Sequence, residues 1–132
     1  MEKSELVALA IEARAKSYSP YSHFAVGAAL LCKNGKVYVG ANVENASYPA
    51  GICAERAAIY HALMEGEKSE DFVALAIAAD TKEACSPCGV CRQVMSEQLP
   101  RHAKIYLANL SGDVKETDIV SLLPFAFDGR DL

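Results

Sequence analysis

The amino-acid sequence predicts an α/β fold of three layers (α/β/α), in which a mixed five-stranded sheet has helices on both faces. Two patterns indicate it: residues 25–41 have the pattern of a β-hairpin, and helix and strand patterns alternate after residue 53. Length adds a third observation, because 132 residues are enough for one packed core and too few for two ordinary domains. We therefore expect residues 1–132 to form a single domain with the element order α-β-β-α-β-α-β-β-α.

The first part of the chain is expected to form a helix and a hairpin. Ser4 stands where an N-cap precedes a helical apolar face. Asn34 and Gly35 separate two runs of small and β-branched residues, and this dipeptide favours a type I′ turn between antiparallel strands. Pro49 and Gly51 lie in a polar stretch that predicts a loop. The predicted elements are a helix over 4–17, strands over 25–32 and 37–41, and a loop over 42–52.

The second part alternates between helices and strands. One helix begins near Cys53 and is stopped by Gly66, and another begins near Cys88 and ends before Pro100. Residues 72–79 form an apolar run without alternation, as expected of a central strand buried on both faces. The predicted elements are helices over 53–65, 88–99 and 119–123, the last capped by Thr117 or Asp118, and strands over 72–79, 104–108 and 114–116.

The composition argues against a nucleic acid or a membrane as partner. The net charge is −4 and the sequence pI is near 5.3, whereas proteins that bind phosphate backbones usually carry a basic surplus. No apolar run approaches the roughly eighteen residues that a bilayer-spanning helix needs, and the charged N-terminus lacks the apolar stretch of a secretory signal. We expect a cytoplasmic protein that binds a small neutral molecule.

Five cysteines, at positions 32, 53, 85, 88 and 91, carry the strongest functional signal. In a reducing compartment, clustered cysteines are more often metal ligands or catalytic groups than disulfides. Cys53 begins one predicted helix, and Cys88 and Cys91 begin the next, where helix N-termini stabilise thiolates. Three thiolates suit one Zn²⁺ per chain, and three protein ligands with an open fourth position are typical of catalytic zinc.

The other two cysteines leave an alternative open. Cys85 also forms a Cys-x-x-Cys pair with Cys88, and a closed four-cysteine site would make the chain a binding module with structural zinc. Pro87 argues against it, because proline suits the first turn of a helix and leaves Cys85 on the incoming loop. Cys32 ends a predicted strand and is interpreted as a small core residue.

Glu55 is the candidate catalytic residue. A glutamate in the first turn of a helix is ordinarily a surface residue that compensates the helix dipole. Two residues from a metal-bound thiolate, its carboxylate can instead take a proton from zinc-bound water and pass it on. This role requires Cys53 to stand at or before the N-cap, because positions 53 and 55 of an ideal helix point well apart.

Arg56 is a candidate for charge compensation. Three thiolates on Zn²⁺ leave a net charge of −1, which weakens the pull of the metal on its water. We expect Arg56 to donate hydrogen bonds to the thiolates and partly neutralise them. Arg92 also directly follows a ligand segment. The alternative for Arg56 is an exposed helix arginine.

These motifs match the signature of zinc deaminases, in which Cys-x-Glu or His-x-Glu is followed by Pro-Cys-x-x-Cys. Over nearly its whole length the chain resembles the small three-cysteine cytidine deaminases of the cytidine and deoxycytidylate deaminase superfamily. The metal motifs alone indicate only the superfamily. Pro-Tyr-Ser-His-Phe-Ala-Val-Gly-Ala-Ala (20–29) and Asn-Val-Glu-Asn-Ala-Ser-Tyr (42–48) indicate the nucleoside branch.

The resemblance implies an enzyme of pyrimidine salvage, a hydrolase that acts on the C–N bond of a cyclic amidine. It would convert cytidine and 2′-deoxycytidine to uridine and 2′-deoxyuridine and release ammonia. Zinc-bound hydroxide would attack C4 of the base. Glu55 would shuttle protons, first from the water to N3 and then to the departing ammonia.

The resemblance also implies substrate contacts. Asn42 and Glu44 would bind the ribose hydroxyls, the Ala54 backbone N–H would contact the pyrimidine carbonyl, and Phe24 would line the base pocket. The ordinary alternatives are turn-forming polar residues at 42 and 44 and a core or interface aromatic at 24.

A homotetramer with shared active sites is implied as well. Ala46 and Tyr48 would reach into the site of a neighbouring subunit, and Phe127 would cover the base from another subunit. Phe125 is a second aromatic in the matching Leu-Leu-Pro-x-x-Phe segment, which leaves open which ring stacks. The near-continuous apolar stretch over 122–127 supports a subunit contact.

Two related enzymes remain as alternatives. One deaminates a nucleoside antibiotic or a modified cytosine nucleoside, and the other edits RNA or DNA. The acidic balance and the short length leave no evident surface for a nucleic acid strand.

Overall fold

The computed structural model describes residues 1–129 and 132, and it confirms the predicted architecture of a mixed five-stranded sheet flanked by helices. The helices are α1 (Lys3–Ala13), α2 (Ala54–Met64), α3 (Gly89–Gln98) and α4 (Ile119–Leu122), and the strands are β1 (Val26–Cys32), β2 (Val37–Ala41), β3 (Phe72–Ala79), β4 (Lys104–Ala108) and β5 (Val114–Thr117). In the described part of the chain, no helix combines the length and the apolar character needed to span a bilayer.

The sheet has the strand order β2-β1-β3-β4-β5. Strands β3 and β4 are parallel, with Ala74 opposite Lys104 and Ala78 opposite Ala108, and they are connected through α3. The other neighbouring pairs are antiparallel. Strand β3 is therefore central, and all of its residues except the exposed Val73 are buried, which agrees with the unbroken apolar pattern over 72–79.

Helices cover the two faces of the sheet with separate apolar clusters. Helix α1 buries Leu6 and Ala10 on one face, whereas α2 and α3 bury Ile59 and Met95 on the other. Gly40 of β2 lies directly under α2, because a Cβ atom there would stand 2.6 Å from the Ala54 carbonyl oxygen. This close approach fixes the first turn of α2, which carries the predicted functional residues.

The hairpin between β1 and β2 differs from the predicted type I′ turn. That turn needs a positive φ at both central residues, and of Asn34 and Gly35 only the glycine has one, at +86°. The Asn34 side chain instead accepts the Lys36 N–H at 3.0 Å and donates to Glu67. The prediction was wrong because Asn34 stabilises the turn through its side chain and keeps a negative φ.

Helix boundaries differ from the predictions at both ends of the chain. Ser4 is not the N-cap of α1, because the helix already begins at Lys3 and Glu2 precedes it. The predicted continuation to residue 17 is a short 3₁₀ turn, Arg14–Lys16. Of the two predicted N-cap candidates for α4, Thr117 and Asp118, the structure has Asp118, whose side chain accepts the Ser121 N–H at 2.8 Å.

Candidate metal and nucleoside site

Two helix N-termini bring the three predicted ligands together. Cys53 is the N-cap of α2 and Cys88 is the N-cap of α3, both with extended backbone, so their side chains precede the helical turns. Cys91 lies in the first turn of α3 and is fully buried. The three Sγ atoms all lie within 4.8 Å of one another. The required position of Cys53 at the N-cap is thus confirmed.

The donor set fits zinc. The Sγ atoms of Cys53 and Cys88 are 3.9 Å apart, and tetrahedral coordination with Zn–S bonds of about 2.3 Å places two sulfurs about 3.8 Å apart. Cys85 is buried, and its Sγ lies outside the 4.8 Å cluster. The cluster therefore offers three thiolates, and the closed four-cysteine alternative finds no support in it.

The site favours thiolate at Cys53. A hydrogen bond from Cys91 is the main cause that lowers the pKa of Cys53 to about 5, and hydrogen bonds from Arg56 and Cys88 add to it against the effect of burial. The Arg56 Nη2 donates to the Cys53 Sγ at 3.5 Å. The expected contact between Arg56 and a ligand is present in the structure, and it places positive charge beside the thiolates.

Glu55 lies inside the protein, with only 4% of its surface exposed. Burial raises the pKa of its carboxyl, and the negative charge of Cys53 adds to this effect. A hydrogen-bonding interaction with the neighbouring Cys91 thiol acts in the opposite direction and lowers this pKa. This burial is inconsistent with a surface residue that compensates the helix dipole, and it places an acid–base group beside the metal ligands.

Asn42 holds the loop that precedes β1. Its Oδ1 accepts the Ser17 hydroxyl at 2.6 Å and the Val26 N–H at 2.9 Å, and its Nδ2 donates to the Phe24 carbonyl at 2.8 Å. These bonds join segments 16 to 25 residues apart in sequence. An ordinary turn-forming asparagine bonds to residues next to it in sequence, so these long-range bonds go beyond that alternative.

Glu44 holds the same loop from its other side. One carboxylate oxygen accepts the backbone N–H groups of Tyr21 and Ser22, each at 3.1 Å, and the other accepts the Ser22 hydroxyl. These hydrogen bonds, led by the Ser22 hydroxyl, lower the pKa of Glu44. Ser22 also accepts the Phe24 N–H at 3.0 Å, so Glu44 and Phe24 are positioned together.

A cavity of about 190 Å³ joins the two groups of residues. It is lined by Asn42, Glu44, Tyr48, Cys53 and Arg56, among others. The predicted ribose ligands and the predicted metal site therefore share one space. A larger cavity of about 560 Å³ lies between α3, α4 and the residues after α4, and its lining includes none of these side chains.

The remaining predicted residues lie outside the lining of the smaller cavity. Ala54 is buried at the first position of α2, Ala46 is exposed, and Phe24 is 40% exposed. Phe127 is half exposed, and its carbonyl oxygen accepts a hydrogen bond from Gln93. Phe125 is fully exposed at a φ of +56°.

Sequence reasoning missed several positioning side chains. Ser17 and Ser22 contact the candidate ribose ligands, and Arg92 contacts the residues just before Cys88. No sequence pattern around a loop serine indicates which side chain, more than twenty residues away, it will hydrogen-bond. Arg92 did have a signal, its place directly after a ligand, although its partners are set by the fold.

Comparisons with known proteins agree with this geometry. A family model described as the cytidine and deoxycytidylate deaminase zinc-binding region matches residues 1–108. A protein named cytidine deaminase from Halalkalibacterium halodurans is 52% identical over 132 residues, which cover all of this chain and 98% of that protein.

A second relative named cytidine deaminase, from Sporosarcina psychrophila, is 47% identical over all of this chain and 96% of that protein. The crystal structure of cytidine deaminase from Burkholderia pseudomallei superposes with a TM-score of 0.94 at 46% identity, and the match covers 96% of this chain and all of that one. With its zinc motifs and its fold both matched, the chain belongs to the cytidine and deoxycytidylate deaminase family.

Proposed function

We propose that this protein catalyses the zinc-dependent hydrolytic deamination of cytidine and 2′-deoxycytidine to uridine and 2′-deoxyuridine, a reaction of pyrimidine salvage. One observation carries the proposal: Cys53 belongs to the three-cysteine cluster, stands two residues before the buried Glu55, and lines one cavity together with Asn42 and Glu44. Metal ligands, an acid–base group and hydrogen-bonding groups for a sugar are thus brought together.

Cys53, Cys88 and Cys91 would hold the zinc ion. When bound, the ion would polarise a water molecule and lower its pKa toward neutrality. Glu55 accepts one proton from the attacking water and donates it to N3 of the base, while the water oxygen forms a bond to C4. Glu55 then takes the second proton from the new C4 hydroxyl and delivers it to the amino group. The C4–N bond breaks, ammonia leaves, and C4 keeps the oxygen as a carbonyl. Arg56 offsets the negative charge of the thiolates.

The two ribose ligands keep hydrogen-bonding capacity after their internal contacts. Asn42 uses one of its two Nδ2 hydrogens on Phe24, so the second can be donated to a ribose hydroxyl. The Oε2 of Glu44 accepts one hydrogen bond, from the Ser22 hydroxyl, so this oxygen can also accept a hydrogen bond from the 3′-OH. The sugar would thus be bound by side chains that are already fixed.

The base would lie between the first turn of α2 and Phe24. The Ala54 N–H belongs to the first turn, whose N–H groups have no partner within the helix, so it can donate to the pyrimidine carbonyl. Phe24 is partly exposed on the loop held by Asn42 and Glu44. This arrangement would place C4 toward the metal cluster.

The proposal includes a homotetramer with shared active sites. Tyr48 is 77% exposed beside the smaller cavity, Ala46 is exposed nearby, and Phe125 and Phe127 are exposed after α4. Large exposed aromatic side chains are typical of surfaces that another subunit covers. Phe127 would cover the base of a neighbouring site. Analytical ultracentrifugation tests this part, since a 14.1 kDa species would contradict it.

The metal chemistry also suggests where the protein acts. Three thiols that must stay reduced to bind metal suit the cytoplasm. The net charge of −4 and a site suited to a nucleoside argue against a nucleic acid strand or a membrane as partner.

The decisive experiment measures zinc content and cytidine turnover on one sample. We expect one zinc per chain by plasma mass spectrometry and a loss of cytidine absorbance that stops when a chelator removes the metal and returns when zinc is restored. Zinc without turnover would indicate a binding module. A comparison of cytidine, 2′-deoxycytidine and bulkier modified nucleosides tests the alternative enzyme, which would prefer the last group.

A further inference from the structure

The Arg92 side chain makes three hydrogen bonds to two separate parts of the chain. Its Nε donates to the Pro87 carbonyl at 2.9 Å and its Nη2 donates to the Ser86 hydroxyl at 2.7 Å. Its Nη1 donates to the Leu122 carbonyl at 2.9 Å. A guanidinium group suits this task because its donors are fixed in one plane.

The first two bonds fix the approach to the metal cluster. Ser86 and Pro87 directly precede Cys88, which is an exposed N-cap residue. Within the described residues, the side chain of the N-cap Cys88 makes no capping hydrogen bond to α3. Arg92, one turn into that helix, therefore restrains the loop that delivers one of the three metal ligands.

The third bond fixes the C-terminal segment, defined here as residues 122–128. Leu122 ends α4, and its carbonyl is one of those left without a partner within the helix. Gln93, the next residue of α3, donates to the Phe127 carbonyl at 2.8 Å. Two consecutive side chains of α3 thus hold both ends of the segment that presents the two exposed phenylalanines.

We propose that Arg92 is a positioning residue that couples the metal-ligand loop to the C-terminal segment. When Cys88 is bound to zinc, the loop is held in place. Arg92, which is bonded to that loop, then restrains Leu122 as well. Conversely, a fixed C-terminal segment restrains the guanidinium and slows the opening of the loop. The coupling must act equally in both directions, because it is a single free energy shared by two sites. The inference rests on the proposed function only for its effect on catalysis.

Zinc release tests the loop contacts. Arg92→Gln is expected to lose zinc to an excess of chelator roughly tenfold faster than the unaltered protein, because two bonds to the loop are removed. Ser86→Ala removes one of those bonds and should accelerate release by a smaller factor. Gln93→Ala is the matched control, and its zinc release should change far less than that of Arg92→Gln, since its described bond reaches only Phe127 and the Arg92–Leu122 bond stays in place.

Hydrogen–deuterium exchange of the peptide spanning residues 119–129 tests the other contact and the coupling. In the unaltered holoenzyme, zinc removal should speed exchange at the α4 amides of Leu122 and Leu123, which donate to Asp118 and Ile119. In Arg92→Gln this exchange should be fast with or without zinc. Gln93→Ala should speed exchange near Phe127 and leave the effect of zinc intact.

Two results would overturn the inference: zinc release from Arg92→Gln at the unaltered rate, or an unchanged zinc effect on exchange in that variant. If Arg92→Gln does not fold, Arg92→Lys replaces it, because an ammonium group keeps the charge but cannot bridge three acceptors in one plane. Zinc release and exchange need no turnover. A protein that failed to deaminate cytidine would therefore refute the proposed function, whereas these two measurements would still decide the role of Arg92.

Discussion

The two halves of the candidate site are built by different means. The metal corner, formed by Cys53, Glu55, Cys88 and Cys91, sits on the first turns of two regular helices. The cradle, formed by residues 17–24 and 42–48, is mostly irregular backbone. It is held by the side chains of Asn42 and Glu44.

This difference shows how each half resists change. Helix geometry positions the metal ligands, and the helices are anchored by buried residues such as Ile59 and Met95, a turn or more along each helix from the cysteines. The cradle depends on a few hydrogen bonds, each worth about 0.5–1.5 kcal/mol net. A change in the corner should therefore remove chemistry and leave the fold intact, whereas a change in the cradle should weaken binding and local order.

The largest expected effect separates chemistry from structure within the corner. Glu55→Gln should lower kcat by roughly 10²- to 10⁴-fold, because the amide cannot carry the proton. Zinc content should remain at that of the unaltered protein. Glu65→Gln, at the exposed end of the same helix, is the matched control and should be fully active. Near-normal turnover of Glu55→Gln, measured by cytidine absorbance, would remove Glu55 from the mechanism.

A second prediction compares a cysteine of the cluster with the buried cysteine outside it. Cys53→Ser should reduce zinc content well below one per chain, and turnover should fall in proportion, because a thiolate of the cluster is lost. Cys85→Ser should keep its zinc, since its sulfur lies outside the cluster. Zinc analysis after gel filtration measures both. Loss of zinc from Cys85→Ser to the same extent would restore the four-cysteine alternative.

A third prediction concerns the cradle. Asn42→Ala removes three hydrogen bonds and should destabilise the protein by about 1–3 kcal/mol, with a raised KM for cytidine and unchanged zinc content. Asn34→Ala is the control, because the Asn34 side chain also hydrogen-bonds, to Lys36 and Glu67, but lies in the β1–β2 turn outside the cavity lining, so KM should not change. Urea unfolding and steady-state kinetics provide the readouts. An Asn42→Ala protein that lost zinc would show that corner and cradle are not separable.

The smallest expected effect depends on pH. The hydrogen bonds from Ser22 hold the pKa of Glu44 below its usual 4.5. The carboxylate therefore stabilises the cradle fully above about pH 4.5, and this contribution is lost as the pH falls through the lower folded value. The difference in melting temperature between the unaltered protein and Glu44→Gln should shrink as the pH falls from about 6 to about 3.5. Melting is measured at pH intervals of about half a unit. A difference independent of pH would assign the effect to shape and not to charge.

Most of the fold could be predicted because its signals are local. Strands β2, β3 and β4 begin and end where the apolar patterns do, since burial on a sheet selects runs of small and β-branched residues. The errors arose where two interactions compete over a short stretch. Asn34 satisfies the hairpin through its side chain, and Lys3 extends α1 past the expected cap at Ser4. Helix ends are commonly shifted by a residue or two in this way.

The metal corner was also predictable, because its spacing follows from helix geometry. Cys88 and Cys91 lie one turn apart, and Glu55 follows a cysteine that must stand at the N-cap. The roles of the substrate residues, by contrast, came from family resemblance and stay predictions. The hydrogen bonds that bind Asn42 to Ser17 and Phe24 had no signal in the sequence.

The sequence by itself determined the order of the elements, the three thiols and the acid beside them, because periodicity and spacing along one chain encode local geometry. Only the tertiary structure decided that Cys53 meets Cys88 across 35 residues, that Cys85 is left out, and that Arg92 joins a ligand loop to the C-terminal segment. Such contacts depend on how helices pack on the sheet, and packing is set by the whole core, which no single motif specifies.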